Sequence, residues 1–297
     1  MKINYILLTG LLVLIFSCTE KKAQESETIV VLVDSVSKVS INKNIVDVQK
    51  SDYRNGQDII DSLKLTEILK EAIDIAIGNK NKKSFNKKYG RTTDDGSHNE
   101  NSFNVEVEII FGNIFSNDKK HLLIRRIIPW GAYIDVLLLE GNSFKSLIYR
   151  EQVSRSYVGD TIIDVNGDKQ KDFLVHWYPA SGCCRRNIYN VYLYQKEYGT
   201  FTKDFKFINP TFSPSENIVR GVGYGHPGSV GLYKYQWIGY QIDTIEYIYP
   251  NQDDSLNRTF VRTNSFPYYK KNMKTEKLQT IPNEYHKIES IDWFNDY

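Results

Sequence analysis

The sequence predicts a mainly β fold of antiparallel sheets, blade-like in the manner of a propeller repeat, with one N-terminal amphipathic helix. Three observations carry that expectation. From Phe103 onward apolar residues alternate with polar ones: Phe103, Val105, Val107, Ile109 and Phe111 are set against Asn104, Glu106 and Glu108, the period of a half-buried strand. Short β-branched and aromatic runs then recur with turn residues between them. A helical period is convincing only from Ser62 to Ile77.

In that helix Leu65, Leu69, Ala72 and Ala76 fall on one face with Ile68 and Ile73 alongside, Asp61 or Ser62 can cap the start, and Gly78 stands where a C-terminal cap belongs. Lys80 to Lys88 carries five lysines and reads as a solvated connector, and Arg91 to Asn101 as a polar loop. After Phe103 to Phe111, strands are expected at Leu122 to Ile128, Ala132 to Leu139, Ser146 to Arg150, Thr161 to Asp164, Phe173 to Tyr178 and Ile188 to Tyr194. Three more follow at Tyr233 to Trp237, Thr244 to Tyr249 and Thr259 to Arg262. The C-terminal segment from Ile281 ends in aromatics, which implies a docked terminus and not a free tail.

The N-terminus carries an address. Lys2 supplies a positive start, Ile6 to Phe16 a short apolar run, and Ile15-Phe16-Ser17-Cys18 puts a small residue directly before a cysteine. This resembles the bacterial lipoprotein signal. The resemblance implies that residues 1–17 are a signal peptide, that Cys18 is lipidated, and that the protein is lipid-anchored in the cell envelope, at the outer membrane on its periplasmic or surface face. An ordinary secretory signal or an uncleaved anchor is the alternative. Several acyl chains anchor stably because each buried CH₂ contributes about 0.8 kcal/mol. No later run is long enough to span a bilayer; Tyr133 to Leu139 is far too short. Residues 18–52 read as a tether with one strand at Ile29 to Val33, and residues 53–297 as the β-rich domain.

The most informative stretch lies at residues 160–178. Oxygen-bearing side chains recur at Asp164, Asn166, Asp168 and Asp172, and Gln170 offers its backbone carbonyl. That is the D-x-N-x-D-x-x-x-D spacing by which a tight turn wraps hard-cation ligands. Thr161-Ile162-Ile163 precedes the loop and an apolar run from Phe173 follows, with Val175 where an EF-hand would place its glutamate. The strand-loop-strand frame resembles the FG-GAP/VCBS-type repeat of bacterial surface proteins and integrin α-subunits, over about Ile162 to Val175. The resemblance implies a structural Ca²⁺. Lys169 occupies the position that needs a positive φ and is normally glycine, at a cost of about 1 kcal/mol. The other reading of these residues is an Asx-rich hairpin turn with solvated carboxylates. Asn113 to Ile124 can be laid over Asp164 to Val175 with its apolar strand in register. Asn113, Phe115, Asn117 and His121 then stand at the ligand positions, so that copy holds no cation, and two copies establish no propeller.

Other constellations are weaker. Cys183 and Cys184 are adjacent: in an exported chain they form a vicinal disulfide, pair with another chain, or stay reduced. The Gly-rich run Arg220 to Gly231 lacks the Lys-Ser/Thr of a phosphate loop, so its glycines serve tight turns and close backbone approach. Tyr224, His226 and Trp237 nearby are candidate ligand-binding residues, while Tyr233, Tyr235 and Trp237 share a strand face that suits core packing. No HxH or HExxH spacing supports a catalytic zinc. The net charge is +2 with Lys and Arg dispersed, which argues against nucleic acid. The expected function is a non-enzymatic binding or structural module of the envelope that contacts a glycan or another envelope protein. The alternative is an envelope hydrolase acting on glycan or peptide, with a cleft near residues 224–237 where Asp135, Glu216, Asp243 or Glu246 would meet His226.

Overall fold

The computed structural model describes residues 30–31, 56–93, 102–153, 156–179, 186–254, 259–265 and 274–295. The fold is mainly β, with antiparallel sheets and an N-terminal helix α1 (Gly56–Gly78). A first sheet carries β1 (Val30–Val31), β2 (Phe85–Thr92), β3 (Asn104–Gly112), β4 (His121–Ile128), β5 (Gly131–Glu140) and β6 (Ser143–Val153), in the order β1-β6-β5-β4-β3-β2. The second contains β7 (Tyr157–Ile163), β8 (Asp172–Trp177), β9 (Ile188–Tyr192) and, beyond the small ribbon β10 (Tyr194–Gln195)/β11 (Thr200–Phe201), β12 (Phe205–Ile208). The third is a meander of β13 (Pro210–Ser213), β14 (Ile218–Val222), β15 (Leu232–Ile238), β16 (Gln241–Pro250), β17 (Phe260–Thr263) and β18 (Thr275–Leu278). A short α2 (Ile291–Asn295) closes the described chain.

Four apolar seams join these pieces in chain order. Leu65, Ile68, Ala72 and Ala76 of α1 pack on Val105, Val107, Leu122 and Ile124. The opposite face of the first sheet sends Leu123, Ile134, Val136 and Ile148 against Phe173, Val175 and Tyr194. Leu174, Val191 and Phe207 then meet Val219, Tyr233 and Trp237 of the third sheet. The last face, with Val222, Leu232 and Ile248, is covered by Ile281, Tyr285, Ile288 and Phe294. Successive residues of a strand point to opposite faces, so Phe173 and Val175 serve one seam and Leu174 the other. One irregularity is useful: Val136 pairs with Ile148 but Leu137 with Ser146, which leaves Leu147 as an extra residue in β6. The bulge inverts facing, so Phe144 meets the α1 side and Ile148 the second sheet.

Several expectations are met and some are corrected. α1 starts at Gly56, earlier than Ser62, and ends at Gly78. The lysine-rich stretch is not only a connector, because Phe85–Thr92 forms β2 along β3. Phe85 and Tyr89 are half-buried while Lys87 and Lys88 face solvent, and lysine is what a sheet edge uses to discourage further pairing. Of the C-terminal aromatics, Trp293 and Phe294 are docked, with Phe294 buried, and Tyr297 lies outside the described residues. No closed barrel forms among the described residues; the sheets stack face to face in chain order.

The two loops that align in sequence also occupy matching places. Each joins antiparallel neighbours, β3 to β4 and β7 to β8, and each delivers a fully buried residue, His121 or Asp172, to the start of the second strand. Asn113 donates from Nδ2 to the carbonyls of Asn117 (2.9 Å) and Lys119 (3.2 Å). Phe115 turns into the core beside Tyr194 and Phe201. His121 sits edge-on to Phe115 and Tyr194 with no hydrogen-bond partner for either ring nitrogen. Burial, with the Lys119 charge adding to it, pushes its pKa down to about 4.

Two outcomes follow from this packing. Arg126 donates to Asp135 and to the Leu65 carbonyl of α1, both at 2.7 Å, and the two charged side chains are 3% and 6% exposed. Removing one partner strands the other, so Arg126→Met is expected to cost about 3–5 kcal/mol in urea unfolding, and Arg126→Met/Asp135→Leu to recover most of that. His121 is buried neutral, so the unfolded chain takes up a proton that the folded chain resists. Stability is therefore complete above the unfolded pKa of about 6.5 and is lost as pH falls toward 4. Unfolding midpoints measured across that window should lose this slope in His121→Leu.

Candidate functional site

The candidate cation loop is built from its own backbone. Asp164 leaves β7, and Val165 drops into the seam between the second and third sheets, fully buried. Both oxygens of Asp164 accept backbone N–H groups, from Gly167 at 2.7 Å and Lys169 at 2.8 Å. Asn166 donates from Nδ2 to Asp168 (3.2 Å) and accepts from the Asp168 N–H (3.3 Å), while Asp168 accepts from Gln170 N–H at 2.7 Å. Short polar side chains bonding the backbone two or more residues on are how Asx turns close. Gly167 has φ +82° and Lys169 φ +66°. The left-handed geometry expected at Lys169 is present.

Asp172 behaves differently. It is fully buried, and its oxygens accept the N–H groups of Val165 (3.0 Å) and Tyr194 (2.9 Å). Burial pushes its pKa up to about 7; the two N–H donors pull it down, and the neighbouring Asp168 and Asp164 charges raise it again. The structure thus gathers Asp164, Asn166 and Asp168 on one turn, leaves Gln170 at its edge, and turns Asp172 inward as a pin between the loop and the start of β10. Carboxylate oxygens that accept one N–H each keep further lone pairs, so the loop oxygens retain capacity for a hard cation. Among the described residues no group of three or more His, Cys, Asp or Glu side chains already converges on a metal position.

The loop also docks on the third sheet. An added Cβ at Gly167 would run into the carbonyl of Pro214 and the side chain of Asn217. Asn217, itself at φ +56°, faces the carbonyl oxygens of Asn166 (2.8 Å) and Pro214 (3.1 Å), contacts that its amide nitrogen satisfies. Beside this junction opens a cleft of about 420 Å³. Asn166, Gly167, Asp168 and Asn217 form one side of it, and Trp237, Gly239 and Tyr240 the other. Tyr240 Oη donates to Glu197 at 2.8 Å, which holds the β15–β16 turn against the β10–β11 ribbon. Asn217, Tyr240 and Glu197 carry no sequence signal of their own; only the Pro-Ser-Glu-Asn run at 214–217 marks a turn.

The other sequence candidates are dispersed. Tyr224 and His226 are exposed on the loop between β14 and β15, whereas Trp237 is buried near the far end of β15, about 17 Å along the strand at about 3.3 Å per residue. Gly221 and Gly231 serve close approach as expected, lying under the rings of Tyr233 and Tyr249. Each candidate acid or base is held elsewhere: Asp135 by Arg126, Glu216 by Arg220, Glu246 by Arg262 and Tyr285, and Asp243 by the N–H of Thr244. Cys18, Cys183 and Cys184 lie outside the described residues.

The loop geometry predicts opposite effects at its two left-handed positions. Gly167→Ala combines a strained φ with a clash and should cost roughly 2–4 kcal/mol, whereas Lys169→Gly should stabilise by about 1 kcal/mol, both read from unfolding midpoints in chelator. No protein family, curated protein or solved structure matches the chain.

Proposed function

We propose that this chain is a lipid-anchored protein of the cell envelope, tethered through Cys18, whose β-rich body is a non-enzymatic binding or structural module clipped by a Ca²⁺ ion in the Asp164–Asp172 loop. The observation that carries the reading is the loop itself. Asp164, Asn166 and Asp168 share one turn, and Lys169 adopts the left-handed conformation that such a turn requires despite being a poor residue for it. A cation there fixes the β7–β8 hairpin and, through Asn217, its junction with the third sheet. The separate ion pairs of Asp135, Glu216 and Glu246 favour a binding module over a hydrolase.

A ligand that binds only the folded state raises stability by RT ln(1 + [L]/Kd), about 2.7 kcal/mol at a hundredfold excess over Kd. Thermal unfolding of the mature chain should therefore show a midpoint that rises with Ca²⁺ and not with Mg²⁺, relative to EDTA. Asp164→Ala/Asp168→Ala should abolish the rise. A wild-type midpoint that is the same in all three conditions would reduce the loop to an Asx turn.

A further inference from the structure

We infer that the lysine-bearing end of the first sheet docks the body onto the anionic headgroups of the membrane that holds its tether. Three turns meet at that end: the α1–β2 turn (residues 79–84), the β3–β4 loop (113–120) and the β5–β6 turn (141–142). They are far apart in sequence, and the fold joins them. Lys120 Nζ donates to the carbonyls of Lys80 and Lys82, both at 2.8 Å, and Lys80 Nζ donates to Asn142 Oδ1. Lys80, Lys82, Lys83, Lys119 and Lys120 are thereby set against two carboxylates, Asp118 on the β3–β4 loop and Glu140 at the last position of β5. Asp118 is turned to Ser116 Oγ and Glu140 to Lys145, so none of the five lysines forms an ion pair among the described residues. Lys82 and Lys83 are exposed. Lys120 spends its donors on backbone carbonyls, which hold the ammonium in place without cancelling its charge.

Charge and position together select the occupant. Protein surfaces ordinarily intersperse the two signs, and a cluster of one sign attracts its opposite; near an anionic bilayer each lysine is worth about fivefold in partitioning. The tether joins the body beside the cluster, because Val31 pairs with Phe144, two residues past the Asn142 that Lys80 holds. The choice of a membrane over another polyanion rests on the lipid-anchor reading. An acyl anchor with a basic patch is a two-signal attachment, in which the anchor keeps headgroups within reach and the patch needs only weak contact. The strands of the first sheet then stand end-on to the bilayer. Lys87 and Lys88 are not part of this surface: they lie along the β2 edge, Lys88 paired with Glu108 at 2.9 Å and Lys87 over the Tyr89 ring.

Vesicle co-sedimentation tests this on residues 18–297 prepared without lipid, in EDTA so that no cation bridges protein and headgroup. The vesicles are phosphatidylcholine alone, or phosphatidylcholine mixed equally with phosphatidylglycerol. The expected result is binding to the anionic vesicles only, falling as salt is raised and weakened about tenfold or more in Lys82→Glu/Lys83→Glu, while Lys87→Glu keeps it. Both lysines of the double variant are exposed, and unfolding midpoints confirm that it is folded. Equal binding to the two vesicle types, binding to neither, or anionic binding that the double variant retains overturns the proposal. Retention on immobilised polyphosphate without vesicle binding also overturns it, assigning the lysines to a soluble polyanion. The anchor is read separately by palmitate labelling of Cys18 in cells: a chain that takes no label yet binds anionic vesicles loses the anchor and keeps the docking surface.

Discussion

Strand β8 of the second sheet has no wet face over its first four residues, and much of the molecule is arranged to keep it dry. Phe173, Leu174 and Val175 of β8 are all buried, two toward the first sheet and one toward the third. A half-buried strand needs one apolar face, but this one needs two and reads as a continuous apolar run. Its neighbours must then cover both sides in full, which is why sheets lie on either hand and the polar chemistry of β8 is pushed to its ends. At its start the pressure falls on Asp172, a carboxylate admitted to the interior only because two backbone N–H groups meet it.

Charges elsewhere are admitted on the same condition. Arg125 of β4 reaches Glu108 of β3 and Asp160 of β7, and Tyr157 donates to the same Asp160 at 2.7 Å. The Asp160 side chain is 1% exposed, so it is held by three donors and not by water. Such a group contributes modestly to net stability, because desolvation offsets the attraction. It does resist sliding of the first sheet over the second, since a shift of one residue would strand every member.

Much of this fold was legible, and the reasons lie in particular residues. Val105, Val107 and Ile109 alternate because β3 has one face against α1 and another exposed or half-buried. Leu65, Ala72 and Ala76 announce α1 by spacing alone. The turn at Asp164, Asn166 and Asp168 was readable because its partners are its own next few backbone groups. β2 was hidden because its apolar content is only Phe85 and Tyr89 among lysines, the composition of an edge. The inward turn of Asp172 was not readable, since the Tyr194 N–H that it meets comes from the β10–β11 ribbon, distant in sequence. The cleft was invisible for the same reason: Asn217 and Tyr240 reach the loop only through the stacking of the third sheet on the second.

The short pairing of β1 with β6, Val30 opposite Lys145 and Val31 opposite Phe144, has a mechanical consequence if Cys18 carries the anchor. Chain between that anchor and the first fixed residue amounts to a dozen residues, and at about 3.3–3.6 Å each the leash reaches at most roughly 40 Å. Without the pairing the leash would run on to α1 at Gly56 and be about three times as long. With that anchor, two backbone positions on a sheet edge would set how far from the bilayer the body can travel, and the tether would enter at the β6 edge, the side opposite β2 and its lysines.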